Sequence, residues 1–376
     1  MNVKEVFEFL DSRDMYMVRY ERDDWDRFLK RNSITYKVPY IHIAGSNGKG
    51  STAKYIQEIY KAKGYKVGLF TSPYFYKMNE MISINGEEIS DEQIAVIVTK
   101  YEKDIIKFNL SKFEVETLIA IEYFNNSQVD VAVIECGMGG EVDSTNIPDS
   151  KPLLSIITSV SLEHTNFLGS TVTEIAMNKA GIIKRFIPVL TGHLSEDADT
   201  VIRTVAKKNN CDIHVVDIYH HELLLGDKYH FDYGALQLDI NSTAKFMITD
   251  ATLAIDAVNI LNDKLPIDTE SIRAGLMSKP FPCRMERFGN VILDGAHCPE
   301  GIDAIMESIM PVARGKHIHT VFACFRDKNI AIELPRLDRD STDLTITTFP
   351  NPRAREMMDY FLYLDDYAYV DDYKEA

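Results

Sequence analysis

Between residues 38 and 192, short apolar runs alternate with stretches of helical spacing. The runs are VPYIHIAG (38–45), KVGLFTS (66–72), VDVAVIECG (129–137), PLLSIITSV (152–160) and FIPVLTG (186–192), and the helical stretches include STAKYIQEIYKAKG (51–64) and TVTEIAMNKAGIIK (171–184). Each run is too short for a helix, rich in β-branched residues and nearly continuous in its apolarity. That is the pattern of strands buried on both faces of a parallel sheet with crossover helices. It restricts the chain to the α/β class. The segment 212–240 reads as antiparallel strands, followed by helices near 250–262 and 268–277.

A chain of 376 residues exceeds what one core usually organises, so two domains are expected. The stretch KPFPCRMERFG (279–289) has two prolines and no helical period, which makes it a linker between a first domain at 1–278 and a second at 290–376. In the second domain NVILDGAH, HIHTVFACF and DLTITTF read as three further strands of a smaller α/β unit.

A formal net charge of −16 argues against nucleic acid or an anionic membrane as partner. Anionic substrates would need local positive potential from loop amides, lysines and metal. The N-terminus lacks the apolar run of a signal peptide, and no stretch reaches the length of a membrane span. The five cysteines are widely spaced with no CxxC, which fits a reducing cytoplasm.

Residues 45–51, Gly-Ser-Asn-Gly-Lys-Gly-Ser, follow the first strand and open a helix. Glycines let backbone N–H groups approach phosphate oxygens, and the helix N-terminus adds a favourable dipole. Lys49 would reach the outer phosphates and Ser51 would ligate magnesium, with Gly45, Asn47, Gly48, Gly50 and Thr52 as further nucleotide-binding positions. The spacing departs from the standard Walker pattern, since Ile43 stands at its first glycine and Gly50 follows the lysine directly. Ser72, Glu135 and His164 lie at or just beyond strand ends, the edge where open α/β sheets bind ligands. For His164 the alternative is a hydrogen-bonded loop histidine, and for Lys179 a solvent-facing helical lysine. A buried Glu135 at the end of VAVIE calls for a metal or a lysine.

These motifs resemble, in order, those of the folylpolyglutamate and dihydrofolate synthases of the Mur ligase superfamily. The resemblance runs through IHIAGSNGKGSTAKYI, GLFTSPYFYKMNEMISINGEEIS, SKFEVETLIAIEYF, VAVIECGMGGEVDSTNI and SVSLEHTNFLGSTVTEIAMNKAGIIK, then through CRMERFGNVILDGAHCPEG and FACFRDKNI. It implies a phosphate-loop central domain with a mainly parallel sheet and a smaller, Rossmann-like C-terminal domain. It further implies ATP-dependent joining of L-glutamate to a folate or dihydropteroate acceptor through an acyl phosphate, by a cytoplasmic monomer using ATP and Mg2+. Ser51, Ser72, Glu135 and His164 become the magnesium set. Lys49, His164 and Lys179 become catalytic, with Lys179 a candidate for carbamylation, since a buried neutral amine can capture carbon dioxide. Arg284, Asp294 and His297 are assigned to the nucleotide.

Several positions depart from the family pattern. Tyr74, Met81 and Glu141 replace a histidine and two arginines, Cys298 replaces an asparagine, and Phe246, Met247 and Asp250 occupy an HQxxN motif. Family members also usually continue past DDYKEA with a helix and a strand, so a shortened C-terminal domain is expected. The alternatives are a ligase for another carboxylate, or a nucleotide-binding paralogue with reduced turnover.

Overall fold

The first apolar run folds as β1 (Tyr40–Ala44), every residue of which is buried. The structure, a computed structural model, describes residues 1–13 and 22–376. Seven further strands complete its sheet: β2 (Val67–Phe70), β3 (Ile82–Ile84), β4 (Glu87–Glu88), β5 (Val131–Glu135), β6 (Leu154–Ile157), β7 (Val189–Thr191) and β8 (Ile213–Val215), in the order β4-β3-β2-β5-β1-β6-β7-β8. Pairing is parallel from β2 to β8 and antiparallel only where β3 and β4 join β2. The continuous apolarity of β1, β2, β5 and β6 follows from this placement, because all their residues are buried.

Two features of this sheet differ from the reading of the sequence. Residues 213–215, expected among antiparallel strands, extend the parallel sheet as β8, and only β9 (His220–Leu225), β10 (Lys228–Tyr233) and β11 (Leu236–Ile240) form a separate three-stranded sheet. β8 is half-buried to exposed, so its burial pattern resembles that of the strands after it. The second difference is β3 and β4, which extend the sheet beyond β2. Asn85 and Gly86, both at positive φ, make the tight turn between them.

Chain order places a topological switch between β1 and β6. From β1 the chain crosses to β2 on one side, whereas β6 leads to β7 and β8 on the other. The loops after β1 and β6 therefore meet at the carboxyl edge of the sheet, where ligands of open α/β sheets bind.

Compactness divides the chain into two units. One comprises Met1–Glu222, His230–Asn241 and Met247–Phe281, the other Leu223–Tyr229, Ser242–Phe246 and Pro282–Ala376. The second unit holds an antiparallel pair, β12 (Glu286–Phe288) and β13 (Val291–Leu293), and a parallel sheet of β14 (His319–Phe322), β15 (Asp343–Thr347) and β16 (Ala368–Val370). Residues 286–288 thus form a strand inside the stretch read as a linker. The run at 290–297 pairs with it, and the third strand of the parallel sheet comes instead from the acidic, tyrosine-rich tail. Ile302, Met306, Phe322, Leu334, Ile346 and Tyr360 form this unit's core. No helix among the described residues is long and apolar enough to cross a membrane.

The helix Lys112–Ser127 begins with a reciprocal capping box between Ser111 and Glu114 and packs Val115, Leu118, Ile119 and Phe124 into the first unit's core. It also buries Glu116, whose Oε1 has no hydrogen-bond partner among the described residues. Burial pushes this carboxyl up to about 7, against the opposing pull of Lys112. A carboxyl raised on folding is protonated more readily in the native state than in the unfolded chain. Its contribution is therefore present below the unfolded pKa and is lost as pH rises through the folded one. Glu116→Gln, which keeps the neutral shape, is expected to be close to neutral at pH 5 and to stabilise by on the order of 2 kcal/mol at pH 8. Urea unfolding at the two pH values checks this, and an equal effect at both contradicts it.

Candidate active site

The loop after β1, residues 45–48, enters the helix Lys49–Lys63 through Gly48, which occupies the left-handed region at φ +84°. A Cβ at Gly48 would collide with Asp250 Oδ1, and one at Gly45 with Thr158 Oγ1. Both glycines are required by close approach, and Gly48 by its dihedral as well. The helix thus begins at Lys49, two residues earlier than its apolar spacing suggested.

A hydroxyl-rich segment after β6 straps this loop down. Asn47 N donates to Ser159 Oγ at 2.8 Å, Thr158 Oγ1 donates to the Asn47 carbonyl at 2.5 Å, and Ser159 Oγ donates to the same carbonyl at 3.0 Å. Ser46 N donates to Ser159 O at 2.9 Å, and Ser161 N donates to Ser46 Oγ at 3.0 Å. Lys49 folds back over the loop, its Nζ donating to the carbonyls of Gly45 at 2.8 Å and Ser46 at 3.3 Å. Ser51 and Thr52 are buried in the helix's first turn.

Glu135 ends β5 with a buried side chain, and its Oε2 accepts from Ser72 N at 3.2 Å. The same oxygen lies 3.3 Å from where a Cβ of Gly50 would stand, so the carboxylate faces the opening turn of the Lys49 helix. There the helix dipole and nearby amides favour an anion. Ser72, Glu135 and the loop are thereby brought together.

Lys179 lies in the last turn of the helix Val172–Ala180, which is held at its start by the Thr171–Glu174 capping box. It is not the outward-facing lysine of the alternative reading, because its side chain is fully buried. Its Nζ is 2.6 Å from Glu163 Oε1. Burial lowers the lysine's pKa against the pull of Glu163. Burial alone would raise Glu163, but Lys179 and Lys49 outweigh it and hold the carboxyl at about 2. Capture of carbon dioxide by Lys179 would require this ion pair to open. Glu163 was missed in the sequence, where only its neighbour His164 stood out.

His164 is exposed, at φ +45°, and its carbonyl caps the short helix Thr165–Leu168. Among the described residues no three His, Cys, Asp or Glu side chains form a metal cage. Ser72 and Glu135 meet beside the helix turn that holds Ser51, and hydroxyl and carboxylate oxygens are the donors that magnesium takes together with waters and substrate phosphates.

In the second unit Asp294 accepts from Met285 N at 2.9 Å and Ala296 N at 2.8 Å, and burial raises its pKa against Arg284. Arg284 donates to the Cys283 carbonyl at 3.3 Å, and His297 Nδ1 lies 2.8 Å from Gly295 O. These contacts organise one loop around Asp294. Of the departures, Tyr74 OH meets Lys112 Nζ at 3.4 Å, Met81 is core, and Glu141 is exposed with its backbone N donating to Asn178 O. Phe246 begins the helix Phe246–Ile260, and Cys298 caps the helix Pro299–Val312.

The sequence profile of the Mur ligase middle domain matches residues 43–258, and that of the Mur ligase glutamate ligase domain matches 283–376. A dihydrofolate synthase/folylpolyglutamate synthase of Bacillus subtilis is 34% identical over 347 residues, covering 86% of this chain and 80% of its own. The chain belongs to the folylpolyglutamate synthase/dihydrofolate synthase family of Mur ligases. Among solved members, the apo form of Lacticaseibacillus casei FPGS superposes with a TM-score of 0.84 at 29% identity, covering 99% of this chain and 96% of that one. An FPGS complex with AMPPCP and folate superposes at 0.83 with 28% identity, covering 99% and 96%. The family fold is thus the mainly parallel sheet and smaller α/β unit described above.

Gly48→Ala combines a left-handed backbone with a clash against Asp250. It should lower stability by at least about 1–2 kcal/mol and weaken binding of a nucleoside triphosphate analogue. Urea unfolding and calorimetric titration with AMPPCP check this, and parental values in both would contradict it.

Proposed function

We propose that this chain is an ATP-dependent carboxylate–amine ligase that joins L-glutamate to a folate through an acyl phosphate. The observation that carries the reading is the strapped loop at 45–51, with Lys49 above it and the Glu135 carboxylate facing the same helix N-terminus. Family membership adds the substrate class, since a relative of this fold is solved with AMPPCP and folate bound. The glutamate ligase profile over 283–376 supports the amino acid.

The chemistry follows from the residues. The loop amides and the helix N-terminus hold the triphosphate, and Lys49 exchanges its loop carbonyls for the outer phosphate oxygens, where charge builds up as the phosphoryl group leaves ADP. The acceptor carboxylate takes that phosphoryl group and becomes an acyl phosphate. The glutamate amine then attacks the acyl carbon, inorganic phosphate departs, and the amine's proton is lost. Magnesium, when bound, supplies charge neutralisation at the phosphates, and Ser51, Ser72, Glu135 and His164 are the residues that would hold it. Positioning and electrostatics are thus what this chain supplies.

Dihydropteroate is a second acceptor to examine, because the Bacillus subtilis relative carries both names. The test incubates the protein with ATP, magnesium, L-glutamate and a panel of pteroate and folate acceptors, following ADP release and product mass. ADP formed only with a folate or pteroate acceptor, with product one glutamate heavier, is expected. Lys49→Ala should lower turnover at least ~100-fold without unfolding. Acceptor-independent ADP release, or parental rates in Lys49→Ala, would overturn the reading.

A further inference from the structure

One stretch of chain follows the helix Lys49–Lys63 from end to end. Just beyond the helix, Tyr65 OH donates to Pro266 O at 3.1 Å, and in its last turn Lys63 Nζ pairs with Asp268 Oδ2 at 2.6 Å. Asp268 caps the helix Thr269–Leu276, which packs so closely that a Cβ on Gly275 would stand 2.6 Å from Ile59 N. The stretch reaches the opposite end of the Lys49 helix at Phe281. Its ring atom Cε2 lies 3.8 Å from where a Cβ of Gly50 would stand, and Lys54 Nζ is 5.9 Å from the ring centroid. A cation over an aromatic face adds attraction to this packing.

Two consequences follow from where the ring sits. Glu135 Oε2 approaches the same Gly50 position at 3.3 Å, so the ring and the carboxylate share one side of the helix's first turn. Phe281 is also the last residue of the first unit. The chain therefore leaves that unit from the turn that opens the phosphate helix.

We propose that Phe281 is a positioning residue: its ring pins the start of the linker to the first turn of the phosphate helix, beside Glu135. The inference rests on the reading of the loop at 45–51 as a nucleotide site. A ligand that orders this turn and draws on the Glu135 carboxylate then also orders the linker, and by linkage the pinned linker favours the ordered turn. Without the ring the loop keeps its own straps from Thr158 and Ser159, but the linker is released from the site.

Hydrogen exchange with and without AMPPCP and magnesium, calorimetric titration with the same ligands, and acceptor-dependent ADP release test the proposal. In the parent, amides within residues 278–283 should gain protection when AMPPCP binds. In Phe281→Ala that gain should be lost and kcat should fall about tenfold, while the Kd for AMPPCP stays within about threefold of the parent. Phe281→Leu keeps apolar bulk but has no atom at the Cε2 position, so it should behave as Phe281→Ala does. Phe281→Tyr keeps the ring and should behave as the parent does. A packing role alone would lower the urea midpoint and move kcat and Kd together, with the gain of protection left in place. That result, or a parental kcat in both Phe281→Ala and Phe281→Leu, overturns the proposal. AMPPCP binding to the parent with no gain at 278–283 also overturns it and leaves the nucleotide site standing. Failure of the parent to bind AMPPCP overturns the nucleotide-site reading, and this assignment with it.

Discussion

The hydrogen bonds between Asn47 and the hydroxyls of Thr158 and Ser159 are the contact on which the rest of the site depends. They join the loops that follow β1 and β6, two adjacent strands whose outgoing chains run to opposite sides of the sheet. Such a divergence opens a crevice at the carboxyl edge. The strap across it fixes the phosphate loop to a neighbouring strand, so its amides need not be ordered anew when a ligand arrives.

Around that loop the charge balance is unusual for an anion site. Among the described residues, Glu135 lies at Gly50 and Asp250 at Gly48, and the charge of Glu163 is felt by Lys49. The lysines close to it are Lys49 and Lys179, and Glu163 already neutralises the second. A triphosphate would add further negative charge. The resident positive charge is therefore insufficient by itself, which agrees with an enzyme that takes its nucleotide together with magnesium. It also agrees with an overall charge of −16, because attraction of anions at this loop is a local property of the crevice.

Much of this was legible in the sequence because it rests on local rules. Buried parallel strands announce themselves as continuous apolar runs, and a glycine-rich turn between a strand and a helix marks the place to look for a phosphate cradle. What escaped depends on tertiary contacts. Residues 213–215 share the mixed polarity of the meander that follows, and only their pairing with β7 reveals them as β8. β16 lies in a tail whose charges hide a three-residue strand. Glu163 drew no notice in the sequence, and only the fold brings Lys179 beside it. Thr158 and Ser159 lay inside the run 152–160 read as a strand, which ends at Ile157, and the hydroxyls at 158, 159 and 161 on a sheet's carboxyl edge are the signal that could have identified the strap. Asp250, noted as a departure, gained its meaning only from contact with Gly48.

The central claim is that the loop at 45–51 delivers a phosphoryl group directly to an acceptor carboxylate. Isotope transfer tests it without reference to rates: a folate labelled with 18O in its terminal carboxylate is turned over with ATP, magnesium and L-glutamate, and the inorganic phosphate is analysed by mass spectrometry. Direct transfer predicts one 18O atom in each phosphate released during ligation. Phosphate carrying no label, while the labelled folate is converted to its glutamate adduct, would contradict the acyl phosphate and the loop's part in forming it.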